Sequence, residues 1–150
     1  MRGAVTVTMT ASAEQIWEVI TDIANIGRYS PETFEAEWLD GAAGPALGAK
    51  FRGHVRRNEI GPVYWTTCRV TACEPGREFG FEVLVGDRAV NNWHYRLTPA
   101  QGRTDVTESF QLNASPLMSL YSVFGGQLRR RRNLRDMRKT LERIKAVVEA

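Results

Sequence analysis

The clearest pattern lies at the C-terminal end, from about Pro116 to Ala150. Leu134, Met137, Leu141, Ile144 and Val148 recur at steps of 3, 4, 3 and 4, which puts them on one stripe of an α-helix. Arg129 to Arg132, Arg135, Arg138, Lys139, Arg143 and Lys145 take the other faces. Such a stripe needs a partner surface to cover it. Upstream, Leu117, Leu120, Phe124 and Leu128 continue an apolar stripe, but Gly125-Gly126 interrupts it. Each glycine costs about 1 kcal/mol relative to alanine in a helix interior, so a kink or break is expected near 125–126. The helix proper then runs from about Gln127 to Val148, and Leu117 to Phe124 forms a separate short helix or gate.

The rest of the chain alternates with the period of strands. Val5, Val7 and Met9 alternate with threonines in a first strand, Gly3 to Met9. Ser12-Ala13-Glu14-Gln15 is a capping box, with Ser12 as N-cap and Gln15 at N3. Ile16, Val19 and Ile20 form the inner face of the short helix that follows. A second helical turn, Asp22 to Ile26, is stopped by Gly27. Further strands are expected at Phe34 to Leu39, Ala49 to Asn58, Val63 to Cys73, Phe79 to Val85, Val90 to Leu97 and Thr104 to Leu112. Between Cys73 and Phe79, Glu74-Pro75-Gly76-Arg77 has proline and glycine at the centre of a type II turn. Short turns join most of these strands, which predicts an antiparallel meander of about seven strands. Together with the long helix, this is an α+β domain spanning 1–150.

Composition narrows the class. The 150-residue length fits one domain with room for a core and a pocket. A hydrophobic content of 43% and a charged content of 25% are those of an ordinary globular protein. No apolar run is long enough to span a membrane, and the N-terminus has no secretory h-region, so a cytoplasmic location is expected. Cys68 and Cys73 on one strand lie roughly 16 Å apart, too far for a disulfide. The net charge of +3 and pI of about 9.1 are mildly basic. On a helix Arg129 to Arg132 point four ways, about 100° apart, and no aromatic–basic motif accompanies them, so no nucleic-acid partner is expected. Arg131 is the one placed beside the apolar stripe, and Asp136 to Arg132 is an expected intrahelical pair. The glycine-rich Gly41 to Gly48 lacks the Lys-Ser/Thr of a phosphate loop.

Several local motifs sharpen the picture. Ser12-Ala13-Glu14-x-Ile16-Trp17-x-Val19-x-x-Asp22, Ser30-Pro31-Glu32, Glu37-Trp38-Leu39-Asp40-Gly41, Cys73-Glu74-Pro75-Gly76-Arg77-x-Phe79 and Thr107-Glu108-Ser109 resemble the polyketide cyclase/dehydrase and START-like lipid-transfer superfamily (SRPBCC), in particular its small single-domain actinobacterial-type members. The resemblance covers essentially the whole chain. It implies the helix-grip fold, a curved antiparallel sheet around a C-terminal helix with two short helices after the first strand. It also implies a cavity between sheet and helix that holds a small hydrophobic ligand such as a lipid, polyketide or aromatic.

Strand parity selects the residues that face such a cavity. Phe51 and Val55, then Phe79, Phe81 and Val83, then Trp93, Tyr95 and Leu97, then Val106, Glu108 and Phe110 point inward. On Val63 to Cys73 the uncharged set Tyr64, Thr66, Cys68, Val70 and Ala72 is taken as inward, although a bulge would reverse part of it. Tyr29, Phe51, Val55, Cys68, Phe79, Phe81, Trp93, Tyr95, Glu108, Phe110, Leu120, Phe124 and Leu128 are therefore the expected ligand-binding residues. Glu108 stands out, because a carboxylate among Val106 and Phe110 needs a raised pKa or a cation. The catalytic candidates are Glu108, Tyr29 and Arg69, with Arg57 beside them. His54 and Asn92-Trp93-His94 place both histidines on the outer face, away from carboxylate or cysteine company, so neither metal nor cofactor is expected. Three functions remain open. They are binding or transport of a hydrophobic ligand by a monomer or homodimer, an aromatase/cyclase-type enzyme, and an interaction or regulatory module.

Overall fold

A computed structural model describes residues 1–56, 61–113 and 126–150. Seven strands, β1 (Arg2–Met9), β2 (Thr33–Trp38), β3 (Lys50–Arg56), β4 (Val63–Glu74), β5 (Glu78–Val85), β6 (Arg88–Ala100) and β7 (Arg103–Leu112), form one sheet in the order β1-β7-β6-β5-β4-β3-β2. Every pairing is antiparallel. The meander is as expected, and β1 closes it by pairing with β7, Val7 opposite Val106. Register shifts at Thr33/Glu35, Val70/Ala72 and Val83/Leu84 bend the strands and curl the sheet. The type II turn is present: the Arg77 N–H donates to the Glu74 carbonyl at 2.9 Å, and Gly76 takes φ +73°.

Helix α1 (Ala13–Thr21) starts where the capping box puts it, with Gln15 N–H donating to Ser12 Oγ at 3.2 Å. A 3-10 helix, Ile23–Arg28, follows. Helix α2 (Gly126–Val148) packs along β1, β7 and α1. The predicted stripe is its contact face. Met137, Leu141 and Ile144 are buried with Val5, Val7, Met9, Ile16, Ile20 and Val106. This is the helix-grip α+β architecture.

Several expectations need correction. Gly27 does not stop the second helical turn but lies inside it. The strand expected to end at Leu97 runs on to Ala100, with Pro99 opposite Thr104. The bulge at Val70/Ala72 turns Ala72 outward, where it meets the Gly80 and His94 side of the sheet. Leu128 is 68% exposed, because it lies nine residues before Met137, about 180° around the helix. Arg131 is also exposed. Asp136 pairs with Arg135, not Arg132. Leu117, Leu120, Phe124, Arg57 and the kink expected at Gly125 lie outside the described residues.

Gly27 is required by close approach. A Cβ there would lie 2.4 Å from the Phe34 carbonyl oxygen, with backbone on both sides. Gly27→Ala should therefore destabilise by about 1–3 kcal/mol in urea denaturation. Gly44→Ala, whose Cβ meets nothing within 4 Å, should change stability by no more than about 0.5 kcal/mol. Equal effects would remove the packing argument.

Candidate functional site

Helix α2 grips the β1–β7 side of the sheet, and the curl leaves a gap against the other strands. A cavity of about 170 Å³ fills it. Phe51, Gly53 and Val55 of β3, Tyr64, Thr66 and Cys68 of β4, Phe81 and Val83 of β5, Asn91, Trp93 and Tyr95 of β6, and Glu108 of β7 form one wall. Tyr29, itself buried, adds to this wall; the Ser30–Thr33 segment forms the rim, and Arg129, Asn133, Asp136, Met137 and Thr140 of α2 the roof. The strand residues share one face because side chains alternate. Phe51 contacts Trp38 and Phe81 edge-on, with ring centroids 5.5 and 5.1 Å apart.

Tyr29, Phe51, Val55, Cys68, Phe81, Trp93, Tyr95 and Glu108 all reach this cavity. Phe79 and Phe110 do not. Phe79 is 1% and Phe110 3% exposed in the adjoining core, Phe110 under Trp93 and beside Gly3. Leu128 is on the far side of α2, and Leu120 and Phe124 lie outside the described residues. Arg69 pairs with Glu82 on the face opposite Cys68 and Val70, so it is remote from the cavity. The outer face carries both histidines as expected, but each has carboxylate company that was not: His54 with Glu35 at 2.8 Å and His94 with Glu78 at 3.0 Å, brought together by pairing between neighbouring strands. Sequence reasoning missed Asn91, which shares the parity of Trp93 and Tyr95, and the polar residues of α2. Those flank the apolar stripe: Asn133 and Thr140 sit one turn before and after Met137. A search for apolar periodicity passes over them.

The cavity's electrostatics centre on Glu108. It is 5% exposed, and the Tyr95 hydroxyl donates to its Oε1 at 3.1 Å. Its Oε2 has no hydrogen-bond partner among the described residues. Burial pushes the carboxyl up to about 8, and the Tyr95 hydrogen bond only partly opposes this. Burial and the nearby Glu108 raise the phenols of Tyr29 and Tyr95, and burial pushes the Cys68 thiol up to about 12. A thiol so high is no nucleophile at neutral pH. The Tyr29 hydroxyl donates to the Ile20 carbonyl at 3.0 Å, so its proton is committed to the backbone. At the rim, Arg129 Nη1 stands 3.9 Å from Glu32 Oε1, an ion pair too long for a direct hydrogen bond. The arrangement has an aromatic and aliphatic strand wall, a polar helix roof, one buried neutral acid and a charged rim.

A family model for polyketide cyclase/dehydrase and lipid transport matches residues 2–149. The polyketide-cyclase-like protein Cgl2372 of Corynebacterium glutamicum is 26% identical, with a TM-score of 0.68 over 99% of this chain and 91% of that one. The di-domain aromatase/cyclase StfQ of the steffimycin biosynthetic pathway shares the fold at 13% identity and TM-score 0.76, over 99% of this chain and 50% of its own. TTHA0849 of Thermus thermophilus does so at 12% identity and TM-score 0.76, over 99% and 97%. No curated protein matches the chain. Among the described residues no helix is long and apolar enough to cross a membrane.

The raised Glu108 carboxyl has a stability consequence. Its folded value near 8 exceeds its ordinary 4.5. The stability tied to its protonated form is thus complete below about 4.5 and lost as pH climbs to about 8. Wild-type stability relative to Glu108→Gln should fall by about 1.4 kcal/mol per pH unit at most across that window, measured by urea denaturation at successive pH values. A difference that ignores pH would mean the carboxyl is already ionised.

Proposed function

Because the chain belongs to the polyketide cyclase/dehydrase and lipid transport family, we propose that it binds a small hydrophobic ligand between sheet and α2. The carrying observation is the cavity itself: about 170 Å³ with apolar and aromatic side chains from the strands and polar ones from α2 and the rim. A dry cavity of roughly 150 Å³ is enough for one aromatic ring. Burial of ligand carbon supplies the affinity, about 25 cal/mol per Å² before the costs of association. Phe51, Phe81, Trp93, Val55 and Cys68 supply the walls. The Tyr95–Glu108 pair sets orientation. Tyr29 shapes the wall, since its proton is held by Ile20.

A second reading is favoured by one observation, the acid at about 8 hydrogen-bonded to a phenol. An aromatase/cyclase-type reaction, aldol cyclisation or dehydration, needs a proton donor near the reacting oxygen. Glu108, neutral at pH 7, fills that role in the second reading. It is not a base there until it ionises. Arg69 has no part in either reading.

Calorimetric titration should detect uptake of toluene or indole by the wild-type protein. Val83→Trp, which fills the cavity from β5, should lower that affinity by about tenfold or more. A wild-type protein that takes up neither compound would sink the proposal, as would a Val83→Trp variant that binds them equally well.

A further inference from the structure

The Tyr95–Glu108 pair holds one proton more than its own hydrogen bond uses. The two residues face each other in register across β6 and β7, and both are over nine-tenths buried. Among the described residues the hydrogen bond from Tyr95 favours the ionised form of Glu108, and burial outweighs it. Burying the charged form costs more than that bond returns, so the neutral acid is the form that sits in the wall. A carboxyl and a phenol together carry two O–H protons. Their mutual bond, 3.1 Å long, consumes one, whichever group donates it. The other has no acceptor among the described residues, and Glu108 Oε2 has no partner there at all. Both groups line the cavity.

We propose that the cavity selects an uncharged ligand whose buried end is a bare hydrogen-bond acceptor, such as a ketone, aldehyde or ester oxygen, held by the spare proton of the Tyr95–Glu108 pair. This rests on the binding reading above and narrows its ligand class. A ligand ammonium would force Glu108 to ionise. A plain hydrocarbon leaves the spare proton unsatisfied, which costs part of its burial energy.

The other titratable groups on the wall are Tyr29, Tyr64, Cys68, Glu32, Arg129 and Asp136, and the Glu108→Gln variant retains all of them. Tyr29 and Cys68 stay protonated through the neutral range. Glu32 pairs with Arg129 and Asp136 with Arg135. A step in binding near pH 8 is therefore assigned to Glu108.

The test uses three nearly isosteric probes: acetophenone, ethylbenzene and 1-phenylethylamine. Their dissociation constants are measured by calorimetry against wild type, Glu108→Leu and Glu108→Gln at pH 6.5 and 9.5. At pH 6.5, the ketone-to-hydrocarbon preference of wild type should exceed that of Glu108→Leu by about tenfold. Glu108→Gln keeps an N–H donor at the same place and should retain most of that preference at both pH values, whereas wild type should lose it at pH 9.5. If Glu108→Leu does not fold, the comparison of wild type with Glu108→Gln across pH carries the test. An unchanged preference in every variant and at both pH values would overturn the donor assignment while leaving hydrophobic binding intact. Tightest binding of the amine at pH 6.5 would overturn it too. Failure of all three probes, ethylbenzene included, would overturn the binding reading and this inference with it.

Discussion

The contact between the apolar stripe of α2 and the β1–β7 side of the sheet organises this molecule. Met137, Leu141 and Ile144 are lost to water only because Val5, Val7, Met9 and Val106 lie against them. A helix is straight on this scale and a bulged sheet is not. Tight packing on β1 and β7 therefore forces separation from β3 to β6, and the cavity is that separation. Core and cavity are two consequences of one docking geometry. This is why neighbouring residues on one strand divide between them: Phe79 is sealed in the core, and Phe81 looks into the cavity.

Burial against Phe81, Trp93 and Phe51 sets a severe condition on an ionisable group at the strand wall of the cavity. Glu108 meets that condition by neutrality rather than by pairing with a cation. Desolvation outweighs the stabilising hydrogen bond from Tyr95, and the carboxyl keeps its proton. Arg129, a cation that also reaches the cavity, is engaged with Glu32 at the rim. The arrangement keeps formal charge at the mouth and a neutral donor in the interior. Such a division suits an uncharged ligand, with apolar area providing affinity and a single proton providing orientation.

The elements of the fold were legible from local signals. The capping box at Ser12, the type II turn at Gly76 and the stripe on α2 each act within a few residues, and each appears where it was read. The inward positions of Phe51, Val55, Trp93, Tyr95 and Glu108 followed from the two-residue period of strands. Errors arose where a local rule met a distant neighbour. Gly27 looked like a helix stop, but it is glycine because the Phe34 backbone passes within 2.4 Å of where a Cβ would be. Arg69 looked available for chemistry, but its side of β4 is the outer one, where Glu82 holds it.

Periodicity and composition alone determine that an antiparallel sheet meets one long helix, and that Glu108 is out of place on an apolar face. They cannot determine how closely helix and sheet approach, because that distance depends on bulges and side-chain volumes drawn from every strand at once. Only the tertiary structure decides that the gap lies over β3 to β6, and that Tyr95 is the partner of Glu108. It is also what turns Asn133 and Thr140 toward the cavity and Leu128 away from it. The physical reason is that burial is a property of surfaces brought together from distant parts of the chain, and the ionisation of a buried acid follows from that burial.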